Sequence, residues 1–199
     1  MHKVIDYSSD VTAKGHLEVI KVFPDGREEV HFSDENIITS GMGATLLEAF
    51  NGDATDQTIA DFQLVYFQLG TDGYAGLQVS STGALSGALA SGDYGASANF
   101  EINNHSLVAS GVVATDRAFG VIPFAYIKKL SPTRIMYQIF VGESTCNGET
   151  INEVGLFSRD PYGYAPGAPE QSLLCAYRFF TALAKTSAFS ILFRWTIEF

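Results

Sequence analysis

Apolar and polar residues alternate with a period of two along much of this chain, the mark of strands with one buried face. In the last run, Ile191, Phe193, Trp195, Ile197 and Phe199 fall on one side and Leu192, Arg194, Thr196 and Glu198 on the other. That spacing predicts a strand docked in a sheet down to its final residue, since termini fray unless something holds them. Ile135, Tyr137, Ile139 and Val141 repeat the pattern. Residues 62–70, FQLVYFQLG, are apolar on both faces and suit a central strand.

Near the N-terminus, Lys14 to Thr39 reads as a hairpin. Leu17, Val19, Lys21 and Phe23 alternate with Glu18, Ile20 and Val22, and Val30 and Phe32 alternate with Glu29 and His31. Pro24-Asp25-Gly26 supplies the corner, with a fixed φ at proline and a permissive one at glycine. Arg27, Glu28 and Glu29 predict a solvated tip. From Thr39 to Gly52 the period changes to a helix, with Ser40 as cap, Met42, Leu46, Ala49 and Phe50 as the packing stripe, and Asn51-Gly52 as the stop.

Past Gly111 the chain returns to strand character, and Pro123 marks an edge or a bulge. Asn147-Gly148 is a hairpin-type turn signal, after which Ile151 to Phe157 opens a closing meander. Many short strands separated by turns predict a mainly β fold: an antiparallel, jelly-roll-like β-sandwich with one short helix in its N-terminal half and an N-terminal β-hairpin. Residues 1–35 form a hairpin arm, and residues 36–199 form the sandwich domain. A Gly/Ser/Ala-rich insertion at about 74–111 is the stretch expected to contact neighbours. Residues 158–170 form an irregular loop rich in proline and glycine.

Composition sharpens this. Apolar residues are 46% of the 199, so a sizeable core is expected, yet charged residues are only 17%. With 15 Phe and 9 Tyr, that balance points to a surface covered by other subunits. A net charge of −10 argues against a nucleic-acid or anionic-membrane partner. No apolar run approaches the roughly 18 residues of a membrane span, and the start lacks the apolar core of a secretory signal. Cys146 and Cys175 fit no metal spacing; they are expected as free, buried thiols, pairing only if strand packing brings them together.

Chemistry is hard to place. His2, His16, His31 and His105 are scattered, and neither GxSxG nor GxxxxGK occurs. Ser40-Gly41-Met42-Gly43 lacks the lysine of a phosphate loop, and Asp53, Asp56 and Asp61 lack calcium-loop spacing. Glu28 and Glu29 are expected to be solvated rather than to act as acid and base. No catalytic, cofactor-binding or metal-binding residue is assigned, no cofactor is expected, and the chain is read as a non-enzyme.

Three groups of residues in order carry a resemblance. They are Asn36-Ile37-Ile38-Thr39 leading into the Gly41–Phe50 helix; Phe67-Gln68-Leu69-Gly70-Thr71; and Ile151-Asn152-Glu153-Val154-Gly155-Leu156-Phe157, followed by LLCAYRFF (173–180), Lys185-Thr186 and FRWTIEF (193–199). The set resembles virion proteins of tailed bacteriophages from tail, collar, baseplate and fibre-attachment regions. The resemblance implies a structural part connecting fibres or rings, located in the virion tail after synthesis in the host cytoplasm. It also implies partners that are other copies of the chain, as a trimer or hexamer, and neighbouring virion proteins. Two alternatives stand beside it: a capsid decoration or cement protein, and a receptor-recognition module binding host glycan through Tyr94, Tyr162 and Tyr164.

Overall fold

Strand β1 (Lys14–Val22) turns back into β2 (Glu28–Ile38) as the proline–aspartate–glycine corner predicts. Gly26 sits at φ 83°, a value that favours glycine. Its N–H donates to the Phe23 carbonyl, and the Asp25 carboxylate accepts from the Arg27 N–H at 3.0 Å. The Arg27 guanidinium stacks on the Phe23 ring at 3.7 Å, so the charged tip covers an aromatic base. These facts come from a computed structural model that describes residues 13–51, 59–70, 120–159 and 173–199. The Gly/Ser/Ala-rich stretch at 74–111, residues 160–170 of the loop expected at 158–170, and Tyr94, Tyr162, Tyr164, His2 and His105 lie outside those residues; Ser158 itself ends a strand.

After the hairpin come helix α1 (Ser40–Asn51), β3 (Leu64–Gly70), β4 (Gly120–Val121) and β5 (Ile127–Ser131). Then follow β6 (Arg134–Val141), β7 (Thr150–Ser158), β8 (Leu174–Ala184) and β9 (Ser190–Glu198). The mainly antiparallel β class, the short helix α1 and the hairpin are as the pattern predicts. The strands belong to one hydrogen-bonded series, in the order β4-β3-β7-β8-β2-β1-β9-β6-β5. Two separate sheets of a sandwich are therefore not seen among the described residues.

The series curls at β2. Its first part pairs with β1, while Ile37 and Ile38 alone pair with Tyr177 and Ala176 of β8. Elsewhere side chains span the gap to β8. His31, extruded by a bulge opposite Val19 and Ile20, reaches the Thr181 carbonyl at 2.7 Å, and Phe32 packs on Phe180. Phe180 in turn meets Phe193 of β9 with ring centroids 6.1 Å apart. The half made of β2, β1, β9, β6 and β5 thus faces the half made of β8, β7 and β3 across one core. Leu17, Val19, Ile139, Phe193 and Trp195 supply one side of it, and Phe67, Leu69, Val154 and Leu156 the other. Each such side chain, fully buried, stabilises the fold by about 1.5–3 kcal/mol before entropy is charged against it.

The expected hairpin arm is no arm. All nine residues of β1 pair with β9, so the hairpin occupies the middle of the sheet and only its tip is solvated. A division at residue 35 separates no packing units among the described residues.

The Asn147-Gly148 turn forms, with Gly148 at φ 93°, but it does not close a hairpin. β6 pairs with β9 and β5, whereas β7 pairs with β3 and β8. Residues 142–149 instead carry the chain from one half to the other. Residues 185–189 cross between the same halves from β8 to β9, so the expected closing meander is replaced by two crossings side by side. Pro123 falls outside the strands and starts a 3-10 turn, Phe124–Tyr126, which breaks the expected run into β4 and β5. Phe199, expected on the buried face, is 43% exposed.

Helix α1 packs against β8 through Met42 and Thr45. The Thr45 hydroxyl donates back to the Gly41 carbonyl at 2.8 Å and lies 3.5 Å from the Cys175 sulfur. Thr39 anchors the helix entry: its N–H bonds the Cys175 carbonyl and its hydroxyl donates to the Leu174 carbonyl. The expected stripe is only partly buried. Leu46 and Ala49 are exposed, and Phe50 is the most exposed large apolar residue of those described, at 83%.

Candidate assembly surface

Buried polar groups come first, because they cost the most to place. Lys185 sits at the meeting of the two crossings, almost fully buried. Its ammonium donates to the Thr186 carbonyl (2.8 Å), the Glu143 carbonyl (3.1 Å) and the Asn147 side-chain oxygen (3.1 Å). Three acceptors match its three donors. The backbone continues the link, Gly148 N–H to the Lys185 carbonyl and Lys185 N–H to the Glu149 carbonyl. Burial lowers its pKa from the usual lysine range, against the opposing pull of Cys146 and Glu143. This lysine is a fastener between crossings.

Glu153 of β7 is fully buried on the face of the sheet opposite Val154 and Leu156, and it accepts the Tyr177 hydroxyl at 2.8 Å. Cys146 and Cys175 are both free and buried. Burial pushes both thiols up to about 11. Burial also raises Tyr137, with the nearby Cys175 adding to the effect. At neutral pH these groups are un-ionised and sealed from solvent, a poor setting for a nucleophile.

One hydroxyl–imidazole contact is exposed. The His16 Nε2 lies 3.0 Å from the Ser33 hydroxyl on the open face of the hairpin. The His16 ring makes no further hydrogen bond among the described residues, so no carboxylate there orients it. Among the same residues, no three of His, Cys, Asp and Glu gather as a metal would need. No helix of the described residues is long and apolar enough to cross a membrane. Glu28 and Glu29 are exposed and held by Arg194 at 3.1 Å and by Lys21 at 2.8 Å. The Lys21 hydrogen bond, then its charge, keeps the Glu29 carboxyl below the ordinary range.

What the surface does concentrate is apolar area. Five large apolar side chains remain exposed around the β5–β6 end of the sheet: Phe124 (68%), Tyr126, Leu130, Phe140 (48%) and Phe199. The Phe199 N–H bonds the Thr133 carbonyl, which holds the end of the chain at the β5–β6 turn. From Phe140 an apolar row runs across the outward face through its register partners Leu192, Ile20 and Val30. Ile20 is covered, whereas Val30 at the far end is 58% exposed. Scattered exposed apolar residues are ordinary; five along one edge pair of strands are a candidate interaction surface. Sequence reasoning expected covered surface at residues 74–111, which lie outside the described residues. It did not single out the unalternating FAY at 124–126 or the outward Phe140.

No protein-family model matches the chain, and neither the curated proteins nor the solved structures searched contain a match.

Proposed function

We propose that this chain is a non-enzymatic structural component of a tailed-phage virion, in the tail, collar or baseplate, where it connects fibres or rings. The observation that carries this reading is the set of exposed aromatic and aliphatic side chains along the β5–β6 edge, Phe124, Tyr126, Leu130, Phe140 and Phe199. A chain that keeps such a patch on an otherwise well-sealed sheet needs something to cover it. The ordered motif set supports the virion assignment. INEVGLF lies on β7, LCAYRFF on β8, Lys185-Thr186 in the crossing, and FRWTIE on β9. Those segments build both halves of the core, as a scaffold motif should.

The test is composition of purified particles. Mass spectrometry of intact virions, then of separated heads and tails, should recover the chain in fixed copy number with the tail fraction. Recovery with heads makes it a capsid decoration protein. Absence from washed particles, while abundant in the lysate, refutes a virion role.

A further inference from the structure

The crossing that Lys185 fastens contains the dipeptide Asn147-Gly148, and both residues are exposed. A lysine ammonium only donates, so the amide atom 3.1 Å from it is the Asn147 oxygen. The Asn147 amide nitrogen donates to the Glu143 carbonyl at 2.9 Å. The side-chain amide is therefore tied at both of its polar atoms. The Gly148 N–H donates to the Lys185 carbonyl at 3.0 Å. Gly148 sits at φ 93°, which favours glycine, and a glycine carries no side chain to screen its nitrogen.

Asparagine followed by glycine is chemically fragile for that reason. The glycine backbone nitrogen can reach the asparagine side-chain carbon. A bond forms between the two, the bond from that carbon to Nδ2 breaks, and the displaced proton leaves with ammonia. Water then opens the cyclic imide to aspartate, or to isoaspartate, in which the main chain runs through the side-chain carbon. Only water and base are consumed.

We infer that Asn147-Gly148 is a latent deamidation site that the two crossings hold shut. In the fold the nucleophile is already engaged, because the Gly148 N–H bonds a carbonyl of the other crossing. The carbon it must reach is tethered by Lys185 and by the Glu143 carbonyl. The ammonium draws electrons from the Asn147 carbonyl and on its own would favour attack. Geometry decides against it, since attack cannot begin until the nitrogen and the side chain are released together. Modification at this position therefore requires the crossing to open. This inference is independent of the assembly reading.

The test follows the full-length chain in mildly alkaline buffer, native and in guanidinium chloride. Peptide mapping by mass spectrometry reads aspartate and isoaspartate at position 147. Asn51-Gly52, the chain's other Asn-Gly pair, shows that the reaction is running in denaturant. Deamidation at Asn147 should be at least about a hundredfold slower in the native chain than in the denatured one. Lys185→Met leaves three acceptors without a donor, so the crossing opens more often. In that variant, kept where circular dichroism shows it folded, the rate at Asn147 should rise about tenfold while Asn51 stays as in wild type. A native wild-type rate within about threefold of the denatured one would overturn the inference, whether or not the variant folds. So would a folded Lys185→Met chain that deamidates at Asn147 no faster than wild type, or one in which both sites speed up equally.

Discussion

Tyr177 donates its hydroxyl to the Glu153 carboxylate at 2.8 Å, and neither side chain is exposed. They stand on neighbouring strands, β8 and β7, two residue pairs out of direct register, since Tyr177 is opposite Gly155 and Glu153 opposite Phe179. Removing the donor leaves a buried carboxylate with one hydrogen bond fewer. Tyr177→Phe should therefore destabilise by about 1–3 kcal/mol. Glu153→Gln keeps an acceptor for the hydroxyl and should cost less. Urea denaturation midpoints for the two variants give the comparison.

The core strand β9 makes a sharper contrast. Trp195 is fully buried between Leu17 of β1 and Tyr137 of β6, its register partners. Trp195→Ala should cost about 3–5 kcal/mol. Phe199, four residues on and 43% exposed, should cost under about 1 kcal/mol when changed to alanine. Equal losses at the two positions would mean that Phe199 is buried like Trp195.

Gly15 faces Asn36 across the hairpin, and a Cβ built on it would lie 1.9 Å from the Asn36 side-chain oxygen. Gly15→Ala should destabilise, because that amide must swing away. Gly15→Ala combined with Asn36→Ala should recover part of the loss. A double-mutant cycle should return a coupling energy of about 0.5–3 kcal/mol. Additive effects would show that the two side chains do not compete for space.

The buried thiols predict an alkaline weakness. Cys175 titrates at about 11 in the folded chain against a reference of 9.0. Above pH 9 the unfolded thiol loses its proton first, so the unfolded state is favoured as pH rises toward 11. The stability present below pH 9 is lost across that window, on the order of 3 kcal/mol at most. Lys185 works in the other direction, because its lowered pKa lets the folded state shed a proton before the unfolded one. Comparing wild type with Cys175→Ala isolates the thiol: the variant should show the shallower decline between pH 9 and 11. A thiol-specific reagent should label neither cysteine in the native chain and both in denaturant.

Local order was legible where one short stretch held the whole signal. The Pro24-Asp25-Gly26 corner and the alternation through Phe193 and Trp195 are of that kind. Pairing was not. Asn147-Gly148 turns the backbone as its residues demand, but the turn chemistry is the same whether the flanking strands pair or part. What parts them is Lys185, whose three acceptors join two crossings 38 residues apart in sequence. Nor does periodicity tell the two faces of a helix apart when both are apolar, and so Phe50 looked like core. Glu153 resembled any surface acid, because its partner Tyr177 is 24 residues away on another strand.

The account depends on the exposed apolar side chains of the β5–β6 edge being covered by sister copies, and sedimentation velocity of the purified wild-type chain over a wide concentration range tests that directly. The prediction is a species several times the 21.5 kDa chain mass. A single 21.5 kDa boundary at every concentration and salt would contradict it.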